Sequence, residues 1–291
     1  MEKFDKIILG SNPFEGVGYL SRSQTQHFLE FFSKPDNIVP ILEVSFNLGI
    51  KTFTCANNDN ILTALTNFKN SKDLKLLPVI PNAYEYARES TEKGVLGAVM
   101  GKAKRVDIYR KVRMGLRALS KIHSIVSKDI LAMLTSLMDL EMSMFEGYEV
   151  PGVILHGQVT DLALTSNNRD ILHVYQKLIR ERYHAIPILA THNFGSLLPK
   201  LKEWNIKIPI MASFNKKGFI MKPSQEECES LIKDTDYYII AKKVLAGGRL
   251  APEEAFPYLA DKNIDSVTVG IGSLSEAYHT LTVAKSTFKV P

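Results

Sequence analysis

The sequence predicts an eight-stranded parallel α/β barrel, the (β/α)8 or TIM-barrel fold, with a helical insertion between strands 3 and 4. Eight short apolar runs of strand length alternate with longer amphipathic segments. Strands that are apolar on both faces and separated by helices are typical of a closed parallel sheet. The chain has 291 residues, which suits one barrel of about 250 residues with an insertion. We therefore expect residues 1–291 to form a single domain.

The predicted elements follow one another in a regular order. The strands are 6–10, 50–54, 76–80, 152–155, 186–190, 208–212, 238–241 and 266–269. Apolar residues at helical spacing predict a helix from about residue 23 and further helices over 60–68, 169–182, 197–204, 225–234, 252–259 and 274–285. This alternation supports the barrel.

One long interval, between strands 3 and 4, breaks the alternation. Its apolar spacing predicts helices over 103–126 and 128–146, of which one part is the third barrel helix. The rest is an insertion within about 103–146. It is expected either to cover the barrel mouth or to form an interface between copies of the chain, which would make the protein a homo-oligomer. Four methionines lie here, and we expect them to pack within helix cores: Met133, Met138, Met142 and Met144.

Composition narrows the function classes. Apolar residues make up 45% and charged residues 23%, no apolar run reaches the ~18 residues of a membrane span, and the N-terminus does not resemble a signal peptide. With only two cysteines, we expect a reduced, cytoplasmic protein.

The net charge is +5, and basic residues cluster over 102–121. No zinc-finger or RNA-binding pattern accompanies them, so the cluster indicates a solvated helix face rather than a nucleic-acid site.

Polar side chains follow nearly every predicted strand, where barrel enzymes place their chemistry. We predict four catalytic groups for acid–base or nucleophilic work: His156, His192, Tyr84 and Lys242. Six more residues are predicted to contact the substrate: Asn12, Glu15, Cys55, Asn57, Asn82 and Asn193. Because Lys242 and Lys243 are consecutive in a strand, we expect one to point into the barrel and the other toward the helices.

Two glycine turns follow strands 7 and 8, and each opens onto a predicted helix. Backbone N–H groups at such turns bind phosphate, and the last two loops of a barrel are where phosphate sites recur. We therefore predict a small anionic or phosphorylated ligand, or the phosphates of a nucleotide, at these loops. The predicted contacts are Gly247, Gly248, Arg249, Gly270, Gly272 and Ser273.

The segments 240–255 and 266–273 resemble the C-terminal strands of the aldo-keto reductase superfamily. Gly152-Val153-Ile154-Leu155-His156 is similar to that family's fourth-strand histidine, and Thr191-His192-Asn193-Phe194 to its turn after strand 5. The resemblance implies a TIM barrel and NADP held at the strand 7 and 8 loops. It also implies that His156 orients a carbonyl group.

The remaining catalytic residues of that family do not match. Cys55 stands where the family has an aspartate, residues 59–61 lack the tyrosine, and residues 78–82 lack the lysine. A phenol of pKa about 10 needs a neighbouring cation to act as an acid. We therefore do not expect standard carbonyl reduction.

Three functions stay open at this point. The first is a nicotinamide-dependent oxidoreductase in which His156 works with a relocated tyrosine, Tyr84 or Tyr86. The second is a non-redox lyase, isomerase or hydrolase that acts on a phosphorylated substrate with His156, His192 and Lys242. A metal-assisted version would recruit Cys55, Glu15 and these histidines, but no local ligand spacing supports a metal. The third is a non-catalytic ligand-binding barrel.

Overall fold

Eight parallel strands close into a barrel in the computed structural model, which describes residues 4–81 and 130–290. Each strand pairs with the next in sequence, and β8 pairs with β1. The strands are β1 Ile7–Gly10, β2 Thr52–Ala56, β3 Lys75–Ile80, β4 Gly152–Leu155, β5 Ile186–Ala190, β6 Ile210–Ser213, β7 Ile239–Lys242 and β8 Ser266–Gly270. The predicted (β/α)8 fold is confirmed.

Helices surround the barrel. Those in the described residues are α1 Arg22–Phe31, α2 Val39–Asn47, α3 Asp59–Asn67, α4 Ile130–Met142, α5 Gly157–Thr165, α6 Arg169–Arg182, α7 Phe194–Glu203, α8 Gln225–Lys233, α9 Pro252–Ala260 and α10 Leu274–Phe288. Several begin at a capping side chain of the expected type, for example Ser21, Asn58 and Ser273, each of which accepts an N–H from the first turn. None of them is long and apolar enough to cross a membrane.

Helices α2 and α5 are not among the sequence predictions. α2 has Pro40 in its first turn and little polar surface, which hides the helical period. α5 begins with Gly157 and is capped by the ring of His156, which is an unusual N-cap residue.

The predicted insertion is described only in part. α4 overlaps the predicted helix over 128–146, and Met138 and Met142 are buried in the core, as expected for gap-filling methionines. The predicted helix over 103–126 and the basic cluster over 102–121 lie outside the described residues. So do Asn82, Tyr84 and Tyr86.

Alternation along the strands produces two cores. One set of side chains fills the barrel interior, and it includes Ile8, Leu77, Ile154, Ile188 and Ile240. The intervening residues pack outward against the helices in a larger core. The upper members of the interior set, Ala190 and Met211, reach the mouth of the barrel, where polar groups at the strands' carboxyl ends join them.

Candidate active site

A cavity of about 220 Å³ occupies the mouth of the barrel, at the carboxyl ends of the strands. Its apolar wall comes from Val79, Ala190 and Met211 on β3, β5 and β6. Nine residues that the sequence predicted as site residues also line it: Asn12, Glu15, His156, His192, Lys242, Gly247, Gly248, Gly270 and Gly272. The structure therefore brings together three of the four predicted catalytic residues.

Three ionisable side chains form a chain of contacts along this cavity. Lys242 Nζ lies 3.5 Å from His192 Nε2, and His192 Nδ1 lies 3.5 Å from Asp161 Oδ2. Asp161 on α5 is held by the hydroxyl of Thr191, which donates to Oδ1 at 2.5 Å, and by the backbone N–H of His192, which donates to Oδ2 at 3.2 Å. Contacts of this length tighten when a substrate binds. The arrangement can move a proton between Lys242 and His192.

Charge and burial set the protonation of His192. Its contact with Asp161 raises the pKa, but burial and the charges of Lys242 and Lys243 outweigh that contact, so the net pKa is lowered. The hydrogen bonds from His192 and Thr191 outweigh burial at Asp161 and lower the pKa of its carboxyl group. At neutral pH the pair is therefore a neutral imidazole oriented by a carboxylate, which is a general base.

His156 presents a hydrogen-bond donor. Its Nδ1 accepts the backbone N–H of Gln158 at 3.2 Å, so its proton resides on Nε2. Burial, Lys242 and His192 lower the pKa of the imidazole to about 4. The ring is thus neutral at pH 7 and can donate from Nε2 to an oxygen without carrying charge.

Both consecutive lysines line the cavity. The expectation that one of the two would point toward the helices is wrong, because β7 ends at Lys242 and Lys243 has a left-handed φ of 55°. Alternation of side chains does not continue past the end of a strand. Burial and then Lys243 lower the pKa of Lys242 to about 7, whereas burial lowers that of Lys243 to about 8.

Tyr19, in the loop between β1 and α1, joins this group although sequence reasoning did not select it. Its hydroxyl accepts from Lys243 Nζ at 2.7 Å and from Asn12 Nδ2 at 2.8 Å. The ammonium group of Lys243 also lies 4.1 Å from the centre of the Tyr19 ring. The described residues therefore contain a phenol beside a cation, at a position other than Tyr84.

The two glycine loops face the cavity, but an N–H group in each loop already has a partner. Gly272 N–H donates to Glu276 Oε2 at 2.7 Å, and Gly248 N–H donates to the carbonyl of Leu245 at 2.9 Å. The guanidinium of Arg249 donates to the carbonyls of Ala246 and Tyr19. Phe28 lies close to Gly272, and a Cβ on Gly272 would be 2.7 Å from its ring.

In this arrangement the residues of the loops do not fit the pyrophosphate of a dinucleotide, because Glu276 occupies the N-terminus of α10 where the anion would bind. The anion site inferred from the glycines stays a prediction.

Of the remaining predicted contacts in the described residues, Glu15 lines the cavity, whereas Cys55, Asn57, Asn193 and Ser273 do not. Glu15 accepts from the Ser11 hydroxyl at 2.6 Å. Cys55 is fully buried in the core between strands and helices, since Thr54 and Ala56 are the β2 residues that face the cavity. Asn57 is buried beyond the end of β2.

Asn193 precedes α7, and Ser273 caps α10. Within residues 4–81 and 130–290, no group of three or more His, Cys, Asp or Glu could hold a metal ion.

The sequence predicted His156, His192 and Lys242, but it did not predict the residues that contact them. Asp161 and Lys243 both follow predicted strands, but nothing in the sequence showed that Asp161 contacts His192 or that Lys243 lines the cavity. Tyr19 gave no signal, because it lies in a turn-rich loop far from any predicted strand end. Glu276 could have been found, since Ser273 and Glu276 have the spacing of a capping box.

No protein-family model and no curated protein matches the sequence. Solved structures do match the fold. Two structures, each described as a putative aldo-keto reductase from Pseudomonas aeruginosa, are 14% and 13% identical to this chain, both with a TM-score of 0.55. Each match covers 97% of this chain and 90% of that one. Gox0644 in its apo form is 8% identical with a TM-score of 0.50, covering 98% of this chain and 88% of that one. The chain thus has an aldo-keto-reductase-like (β/α)8 barrel fold.

Proposed function

We propose that this barrel is a non-redox enzyme that transfers a proton on a small anionic carbonyl compound, as a lyase or isomerase does. The observation that carries the proposal is the row of contacts Asp161–His192–Lys242 at the cavity wall. A neutral histidine backed by a carboxylate is a general base, and a buried lysine of pKa about 7 exchanges protons near neutral pH.

Roles follow from the geometry. His156 Nε2–H donates to the carbonyl oxygen, and His192 takes the proton from the adjacent carbon. Asp161 stabilises the imidazolium that forms. Lys243, whose pKa of about 8 leaves it mostly charged at neutral pH, pairs with the anionic group of the substrate.

The hydroxyl of Thr268 supports a polar ligand. Thr268 lines the cavity, only 9% of its surface is exposed, and within the described part of the chain its Oγ1 has no hydrogen-bond partner. A buried hydroxyl without a partner costs free energy. A substrate oxygen would supply the missing bond.

A nicotinamide-dependent reductase is the second candidate, and the contact between Tyr19 and Lys243 favours it. The phenol of Tyr19 beside an ammonium group is the kind of acid that carbonyl reduction needs. This function requires Glu276 to leave the N-terminus of α10, because its carboxylate occupies that anion position.

Solvent-deuterium exchange tests the first candidate. The protein is incubated in D2O with pyruvate, glyceraldehyde 3-phosphate or dihydroxyacetone phosphate, and loss of the proton next to the carbonyl is followed by NMR. We expect exchange with one of these compounds, and His192→Gln should slow it by about a hundredfold or more. The matched control is His279→Gln, which removes an exposed histidine.

Exchange that is unchanged in His192→Gln, or no exchange with any compound, contradicts the proposal. Oxidation of NADPH with the same compounds, lost in Tyr19→Phe, would favour the second candidate instead.

A further inference from the structure

The side chain of Lys242 has an environment that a structural role does not explain. Its amine lies in the cavity wall, and among the described residues no carboxylate lies within ion-pair distance of Nζ. The nearest polar partner is His192 Nε2, at 3.5 Å. Lys242 is half-buried, and holding an ammonium group there without a carboxylate costs free energy, so lysines placed in such a wall for structural reasons are paired.

We propose that Lys242 forms an imine with the carbonyl carbon of a small anionic aldehyde or ketone. This inference rests on the proposed function, which it deepens by naming the covalent intermediate and the substrate class. The imine supplies what a proton-transfer enzyme without a nicotinamide needs. Its positive nitrogen withdraws electrons from the neighbouring carbon, and the proton on that carbon becomes acidic enough for His192 to take.

The cavity keeps the amine reactive. Val79, Ala190 and Met211 make part of the cavity wall apolar, and burial there disfavours the ammonium form. Lys243 adds a second positive charge that lowers the pKa of Lys242 further. The titratable groups that face the cavity with Lys242 are Glu15, Tyr19, His156, His192, Lys243 and Glu276.

The two lysines therefore have different roles in the proposal. At pH 7 about half of Lys242 is a neutral nucleophile, whereas most of Lys243 is a cation suited to a carboxylate or phosphate. Asn12 donates to the hydroxyl of Tyr19, and the same hydroxyl accepts from Lys243. These contacts position the ammonium group of Lys243 in the cavity.

The step balances without a further reactant. His192 takes one proton from the Lys242 ammonium, and the amine nitrogen attacks the carbonyl carbon to form a carbon–nitrogen bond. The nitrogen then loses one proton and the carbonyl oxygen gains one, which gives a neutral carbinolamine while His192 still holds the proton that it took. That proton then converts the hydroxyl to water, which leaves as the nitrogen lone pair forms the C=N bond. In sum, the carbonyl compound and the ammonium form of Lys242 give an iminium ion and one water.

Borohydride trapping tests the imine. The full-length protein is mixed with pyruvate and then reduced, and its peptides are mapped by mass spectrometry. We expect one adduct, on Lys242, with the mass of pyruvate less one oxygen atom. Acetone, which matches pyruvate but lacks the carboxylate, should label far less. Lys242→Met should remove the adduct, and Lys216→Met, at an exposed lysine, should not.

Formaldehyde and cyanoborohydride at pH 7 provide a probe that needs no recognition of an anion. Lys242 should be methylated before the exposed lysines, because a pKa of about 7 gives it roughly a thousandfold larger neutral fraction than an ordinary lysine. Labelling spread over surface lysines, or an adduct that persists in Lys242→Met, overturns the inference. His192-dependent deuterium exchange without an adduct overturns the imine but leaves the proposed function standing. An adduct without exchange overturns the proposed function alone.

Discussion

At the scale of single residues, the environment that makes the amine of Lys242 reactive also lowers the stability of the folded protein. The pKa of its buried amine is about 7, well below the ordinary value of 10.5. The unfolded chain therefore binds a proton that the folded protein lacks between those two pH values, and stability rises with pH across this window. Below pH 7 the folded state must bury an ammonium ion, which costs free energy.

Lys242→Met should consequently stabilise the protein, and more so at pH 6 than at pH 9. Methionine fills similar space without charge, so the gain at pH 6 should be on the order of a few kcal/mol. Urea denaturation at both pH values measures it. A loss of stability at pH 6 would show that the amine has favourable partners in the folded state. Lys216→Met, at an exposed site, serves as the control.

At the scale of elements, the first turn of α5 packs against the imidazole of His192. Gly157 begins this helix, and a Cβ placed on it would lie 3.2 Å from both Cε1 and Nδ1 of His192. The ring would have to move by a few tenths of an ångström, and its Nδ1, which contacts Asp161, is one of the two atoms displaced.

We predict that Gly157→Ala slows deuterium exchange by about tenfold or more, because misplaced catalytic groups lose rate steeply. Stability should change little, since alanine favours a helix more than glycine does. Exchange kinetics and urea denaturation together measure this. Full activity in Gly157→Ala would contradict the position that the structure gives to His192.

The start of α10 contains a second element-scale test. Burial raises the pKa of the Glu276 carboxyl group, while its bond to Gly272 N–H opposes that rise. Glu276→Gln should keep a hydrogen-bond acceptor near Gly272 but remove the negative charge. Inorganic phosphate should then bind more tightly at this loop, because helix N-termini favour anions.

Isothermal titration calorimetry with phosphate measures the change, and Glu254→Gln, at an exposed residue of α9, is the matched control. Equal phosphate binding by wild type and Glu276→Gln would count against an anion site at the glycine loops.

At the scale of the whole molecule, sequence patterns predicted the barrel well because burial on both faces of a strand leaves short apolar runs. All eight strands lie within two residues of their predicted positions. His156, His192 and Lys242 were found by the rule that barrel chemistry follows the strands. Tyr19 escaped it because it lies in a loop, and the place of Lys243 beside Lys242 in the cavity was missed because it depends on a left-handed residue that no periodicity reports.

The most direct test of the site is a titration of Lys242 itself. Protein whose lysines carry 13C at the carbon next to the amine is followed by NMR from pH 5 to 11, beside the Lys242→Met variant. One signal should titrate near pH 7 and be missing from the variant, since burial and Lys243 disfavour the charged amine. A Lys242 signal that titrates near pH 10, with the exposed lysines, would contradict the reactive amine and the proton chemistry assigned to this barrel.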